Sequence, residues 1–210
     1  MHMHYGEMES TRDRLLDAAE ALFAAQGVGG VSLREIVRAA GARNASALQY
    51  HFGDRAGMVR AVLQRHTAEI EARRHALLDA CEPRPELRPL VAALVLPLAA
   101  KLSDPSGRDH LRIHAEVANR PHPEIHEDDL DPSASLIRWR TMIEPLLDAD
   151  AIRLHRRHTV ARFVTVELAR RADGPHTDDR LFVSHLIDLA AALLSAPLSA
   201  ETLGLEAARR

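Results

Sequence analysis

Aromatic residues are scarce in this 210-residue chain, at 3% against 46% apolar residues in all. Strand-rich folds draw on aromatic and β-branched side chains in alternation, and no convincing hairpin pattern occurs. Ala, Leu, Arg and Glu dominate, all good helix formers, so an all-α protein is expected. Cysteine is nearly absent. Cys81, standing alone, excludes an intrachain disulfide and fits a reducing cytoplasm. Lysine is represented only by Lys101, against 26 arginines. Long hydrophobic runs are missing too. The longest mostly apolar stretch, Pro89 to Ala100, falls short of the roughly 20 residues a bilayer span needs and reads as a buried core helix. No membrane is expected as a partner. Residues 1–9 lack a basic region followed by an apolar one, so they read as a tail and not as a signal peptide.

What is present is helical punctuation. Ser10 with Asp13 looks like an N-cap, and Leu15, Ala18, Ala19, Leu22 and Phe23 form the stripe of an amphipathic helix. Gly27 stops it. Ser32-Leu33-Arg34-Glu35 is a capping box, and Ile36, Val37 and Ala40 give a short helix its inner face before Gly41 ends it. A third short segment, Asn44 to Phe52, is anchored by Leu48 and Phe52. Gly53 ends it, and Asp54 can cap a longer helix running to about Ala80. Short helix, tight turn, short helix is the helix-turn-helix arrangement. Further helices are expected over about 86–102 (kinked at Pro97), 107–119, 133–147, 151–172 and 177–196. The last is apolar nearly all round and should be buried on most sides, with a second copy of the chain as one way to bury it.

The net charge of −3 hides a division along the chain. From Val31 to Arg65 six arginines face only Glu35 and Asp54, a local +4. From His66 to Leu130 eight cations face twelve carboxylates, and from Asp131 onward the signs balance. The only strongly basic segment coincides with the helix-turn-helix pattern.

Thr11 to Leu63 resembles the DNA-binding domain of TetR-type transcriptional repressors. The matching pieces are Leu15-Leu16-Asp17-Ala18-Ala19, Leu22-Phe23 and Gly27, then Ser32 to Val37 with Ala40-Gly41, and finally Tyr50-His51-Phe52 before Asp54-Arg55 and Met58. One departure stands out. Ten residues, Ala42 to His51, separate the turn glycine from Phe52, one more than the family pattern usually has. The resemblance implies an N-terminal three-helix DNA-binding domain over 10–53 and a C-terminal helical bundle over 54–210 for ligand binding and dimerisation, joined by the helix at 54–80. It also implies a homodimer on a palindromic double-stranded operator, with half-sites about one helical turn apart or somewhat more, and release by a small-molecule effector. Arg34 matches a position that reaches a base edge in relatives. Arg43, Asn44, Ser46, Gln49 and Tyr50 are the further candidates for base reading, since Asn and Gln pair with adenine and Arg with guanine. Ser32, His51 and Arg55 are better placed for phosphates. The plain alternatives are solvated arginines, a helix-end role for His51 and packing for Tyr50.

Other chemistry is sparse. His110 and His114 share a helix face, and His122 and His126 repeat the spacing near Glu116, Glu124, Glu127 and Asp128. Such pairs suit zinc-type sites, so a metal-responsive regulator of the same fold is the alternative reading, with His110 and His114 as weak candidates. No Gly-rich phosphate loop, Gly-x-Ser-x-Gly or His-Glu-x-x-His occurs, so a helical enzyme or scaffold is a more distant reading and no cofactor is expected. Cys81 lies beside a proline-rich linker and reads as inert. For a ligand pocket, His114, Trp139, Met142, Ile143 and Phe163 offer large or soft side chains, with core packing as the plain alternative. Arg138 or Glu167 could add polarity. The last two helices are the candidate dimer interface.

Overall fold

The computed structural model describes residues 10–42, 46–119, 134–174 and 178–208. Among them the chain is all-α, in eleven helices: α1 Thr11–Gln26, α2 Leu33–Ala39, α3 Ser46–Phe52, α4 Arg55–Cys81, α5 Leu87–Ala99, α6 Pro105–Ala118, α7 Ala134–Ile143, α8 Ala149–Arg153, α9 Arg156–Ala172, α10 Arg180–Ser195 and α11 Ala200–Ala207. Short 3₁₀ turns follow α5 and α7 at Ala100–Ser103 and Glu144–Leu146.

The caps act where the sequence places them. Ser10 Oγ accepts from Asp13 N at 3.1 Å, and Asp54 Oδ1 from Gly57 N at 2.7 Å. In the capping box Ser32 Oγ accepts from Glu35 N, while Ser32 N donates to Glu35 Oε2 at 2.7 Å. Ser32 Oγ also donates to Glu35 Oε2 at 2.7 Å, and this bond, with the one from Ser32 N, holds the Glu35 carboxyl below its usual pKa. Gly27 takes φ +79°, a left-handed value that a side chain would resist, and lets the chain leave α1. Gly57 has a different constraint: a Cβ there would sit 1.9 Å from the Phe52 carbonyl oxygen, so the tight joint between α3 and α4 admits no side chain.

Two apolar cores result. The N-terminal core packs Leu15, Phe23, Ile36, Leu48 and Phe52 against Met58, Val59, Val62 and Leu63 of α4, and takes Ile113 and Val117 from α6. The C-terminal core gathers α5, α7, α9 and α10, with Leu111 of α6, around Leu78, Leu90, Trp139, Val164 and Leu186. α4 therefore serves both, its first turns in one core and Ile70, Leu78 and Cys81 in the other. The N-terminal core does not stop at residue 53.

Several helices differ from the sequence expectation. The expected 151–172 helix is two, α8 and α9, separated where His155 adopts φ 53°. That break carries neither Pro nor Gly, which is why periodicity runs through it unmarked. α6 starts two residues earlier than expected, with Asp104 as N-cap and Pro105 in its first turn. α5 runs through Pro97 and ends in the 3₁₀ turn. α11 was not expected. Helix α10 is not buried on most sides within one chain. Val183, Leu186, Ile187, Ala190 and Leu194 face the core, but Leu181 is 82% exposed and Leu189 and Leu193 are also exposed. The lone lysine is buried in the 3₁₀ turn after α5 and pairs with Glu69 of α4. Cys81 is buried, and burial pushes its thiol pKa up, in keeping with an inert side chain.

Candidate functional site

The helix-turn-helix is built on α2 and α3. Gly41, with φ +61°, turns the chain after α2, and Ala42 N closes the turn on the Val37 carbonyl at 3.0 Å. Leu48 and Phe52 point α3 into the N-terminal core, so its opposite face carries Ser46, Gln49, Tyr50 and His51 to solvent. Tyr50 is 85% exposed, which removes packing as its role, and its ring meets His51 edge-on at 5.1 Å. Arg34 is exposed on the first turn of α2 beside the exposed cap residue Ser32. Arg43 and Asn44 lie outside the described residues.

The arginines of the basic segment divide. Arg55 donates to the carbonyl oxygens of Val28, at 2.6 Å, and Val31. It thereby fixes the loop between α1 and α2. Arg65 pairs with Asp17 at 2.6 Å and Glu20 at 2.7 Å. Arg34 and Arg38 remain at the exposed surface of α2. Charge counting could not tell these two groups apart, because it sees no partners.

Two clusters tie this domain to the bundle. Glu20 of α1, only 5% exposed, accepts from Arg65 and His66 of α4 and from Ser106 of α6, the last two at 3.0 Å. Glu116 of α6 accepts from Val28 N at 2.7 Å, in the loop that Arg55 also holds. Glu116, close in sequence to the candidate metal-ligating histidines, gives its carboxylate to the loop instead.

A cavity of about 230 Å³ lies inside the bundle between α4, α5, α6, α7 and α9. Of the expected pocket residues, His114 and Trp139 line it. Ile143, Met142 and Phe163 pack in or against the C-terminal core and not on the cavity wall. Inward-facing periodicity cannot separate core from cavity. Arg138 pairs on the surface with Asp79 and Glu82, and Glu167 lies near Arg170, so neither lines the cavity. Sequence reasoning missed Arg74, Arg140, Arg157 and His158 on the wall; their spacing carries no cavity signal.

His110 and His114 stack with ring centroids 5.6 Å apart, and His66 meets His110 at 4.5 Å. Burial holds both cavity histidines neutral: it takes His114 down to about 4 and His110 well below its ordinary value, with neighbouring cations adding to the shift. Among the described residues no group of three or more His, Cys, Asp or Glu is arranged to hold a metal ion, and the metal-responsive alternative finds no support. His122 and His126 lie outside the described residues.

Residues 15–62, the segment carrying the helix-turn-helix, match the family model for bacterial regulatory proteins of the tetR family. That segment carries a DNA-binding domain of the tetR-family type. No curated protein matches the chain. The fold is similar to solved structures over nearly the whole chain. A tetR-family transcription regulator from Shewanella sp. PV-4 superposes with TM-score 0.61 at 18% identity, covering 88% of this chain and 96% of that one. AmtR of Mycobacterium smegmatis gives TM-score 0.55 at 20% identity over 99% and 97%. NalD of Pseudomonas aeruginosa, the secondary repressor of a multidrug efflux pump, gives 0.55 at 20% over 90% and 98%. In a helix-turn-helix of this kind α2 and α3 are the elements that the motif assigns to DNA.

Proposed function

We propose that the protein is a homodimeric repressor that binds a palindromic operator and is released by a small-molecule effector in the bundle cavity. The observation that carries this reading is the double duty of the helices around the cavity. α4 and α6 supply cavity wall at Thr67, Arg74, His110 and His114, and the same helices grip α1 and its loop through Glu20 and Glu116. An effector that prefers a different spacing of α4 and α6 would re-aim the DNA-binding unit. It would shift the equilibrium by no more than its difference in affinity between the two states.

On this reading residues 10–53 read the operator, residues 54–210 bind effector and partner, and α4 transmits between them. Arg34, Arg43, Asn44, Ser46, Gln49 and Tyr50 contact base edges, while Ser32 and His51 meet phosphates. Arg55 contributes by holding the loop between α1 and α2, with any phosphate contact secondary. Dimerisation uses α9 and α10, whose bare Leu181, Leu189 and Leu193 need a partner surface. By composition alone Arg180–Leu205 is apolar enough to cross a bilayer. The break between α10 and α11 and the core-facing side of α10 favour a second copy as the cover. An operator-bound role places the protein in the cytoplasm.

Selection of duplexes from a random pool tests the assembly. The expected product is an inverted repeat bound by two chains, with Leu189→Glu/Leu193→Glu giving monomers whose operator affinity falls at least tenfold. A non-repeating site bound by one chain would overturn the dimeric reading.

A further inference from the structure

The guanidinium and carboxylate groups on the cavity wall, Arg74, Arg140, Arg157 and Glu71, are already engaged. Arg74 pairs with Glu71 at 3.3 Å and donates to Ser135 Oγ at 2.9 Å, and Glu71 also accepts from Ser135 N at 3.0 Å. Arg157 pairs with Glu144 at 2.8 Å. A charged ligand would compete with these partners, and a neutral one need not. The wall's threonine hydroxyls donate within their own helices, Thr67 Oγ1 to the Leu63 carbonyl at 3.4 Å and Thr165 Oγ1 to the Arg162 carbonyl at 2.9 Å. His110 and His114 differ. Their Nδ1 atoms are buried with no hydrogen-bond partner in the protein, and His110 as a whole is only 4% exposed. A ring nitrogen left so is costly until a polar group meets it, and the space that both rings line is the cavity. Around them the wall is apolar: Leu63, Ile70, Leu94, Leu98, Trp139 and Val164.

We propose that this cavity binds an uncharged, largely apolar molecule whose hydroxyl group meets the imidazoles of His110 and His114. Burial keeps both rings neutral, and a neutral imidazole donates through one nitrogen and accepts through the other. A hydroxyl does both, so it answers either tautomer, whereas an ether or a carbonyl only accepts. The body of the molecule lies against Trp139 and the aliphatic wall, where burial of apolar surface supplies most of the affinity. His110 also meets the ring of His66 at 4.5 Å, and His66 Nε2 lies 3.0 Å from Glu20 Oε1 of α1. The hydroxyl therefore acts one ring away from the tie between the bundle and α1. The inference rests on the reading of the bundle as an effector domain, and its test is kept separate from DNA.

Trp139 is the chain's single tryptophan and lines the cavity, so its fluorescence reports occupancy directly. The full-length protein is titrated with 1-octanol, 4-propylcyclohexanol and borneol, each beside its methyl ether, and with octanoate and octylammonium as charged counterparts. Saturable binding of at least one alcohol is expected, at least tenfold tighter than its ether and than either ion. His110→Phe and His114→Phe should each erase most of the margin over the ether while leaving ether affinity unchanged. His114→Asn keeps a donor and an acceptor near the Nδ1 position and should retain part of that margin. The wild-type comparison decides alone if a Phe variant fails to fold. Equal or tighter binding of the ethers or of either ion overturns the proposal, as does failure of every alcohol to saturate at millimolar concentration. A margin that survives both Phe substitutions overturns it too. Alcohol binding that leaves operator affinity unchanged would uphold the ligand class and defeat the effector reading.

Discussion

Replacing Glu20 with Ala is expected to destabilise the protein by about 3–5 kcal/mol, the usual cost of breaking a buried, hydrogen-bonded charge cluster. The carboxylate is 5% exposed and takes three donors from two other helices. Its loss strands the largely buried His66, while the exposed Ser106 can turn to water. Arg65 keeps Asp17, which sets an upper bound on the damage. For a chain of this length such a loss lowers Tm by roughly 10 °C. Glu20→Gln keeps an acceptor and should cost less than half as much. Thermal unfolding of both variants checks the ordering. A loss below about 1 kcal/mol for Glu20→Ala would reduce the cluster to the worth of a surface pair and remove it as a mechanical link.

Trp139→Ala should produce a loss of similar size by another route. The indole is 1% exposed, and its Nε1 donates to the Leu90 carbonyl at 2.8 Å. Truncating a buried Trp costs about 3–5 kcal/mol through lost transfer energy and the void left behind. Here the void joins the existing cavity, so the enlarged space should also admit bulkier ligands. Trp139→Phe keeps most of the ring volume and loses the hydrogen bond, at about 1 kcal/mol. Urea unfolding gives the stabilities. Equal losses for the two variants would mean that the hydrogen bond, and not the packing, dominates.

Both residues illustrate what a sequence can and cannot disclose. Ser10, Ser32 with Glu35, Gly27, Gly41 and Asp54 act locally, within four residues of their partners, so the first four helices were legible from spacing alone. The resemblance to a known family rested on that same punctuation. Glu20 carried no such signal, because its partners lie 45, 46 and 86 residues away. Arg55 and Arg65 counted as basic residues like Arg34, although they bind loop carbonyls and carboxylates inside the fold. Trp139 and Ile143 are one helical turn apart and both pack in the C-terminal core, but only Trp139 also meets the cavity. Only tertiary placement divides them. The turn at His155 was hidden for the opposite reason, since a left-handed histidine leaves no mark in composition.

The proposed function has α2 and the α3 segment read base sequence. Its most direct test is the affinity of the wild type and of Arg34→Ala/Gln49→Ala for a selected operator and for a scrambled duplex, at one fixed salt concentration. Each base contact is worth about 1–3 kcal/mol of discrimination. Operator affinity of the double variant should therefore fall at least 30-fold, a ~2 kcal/mol loss, while affinity for the scrambled duplex falls far less. Neither side chain touches the core, so Tm should not move. Unchanged operator affinity, or an equal loss on both duplexes, would contradict the account.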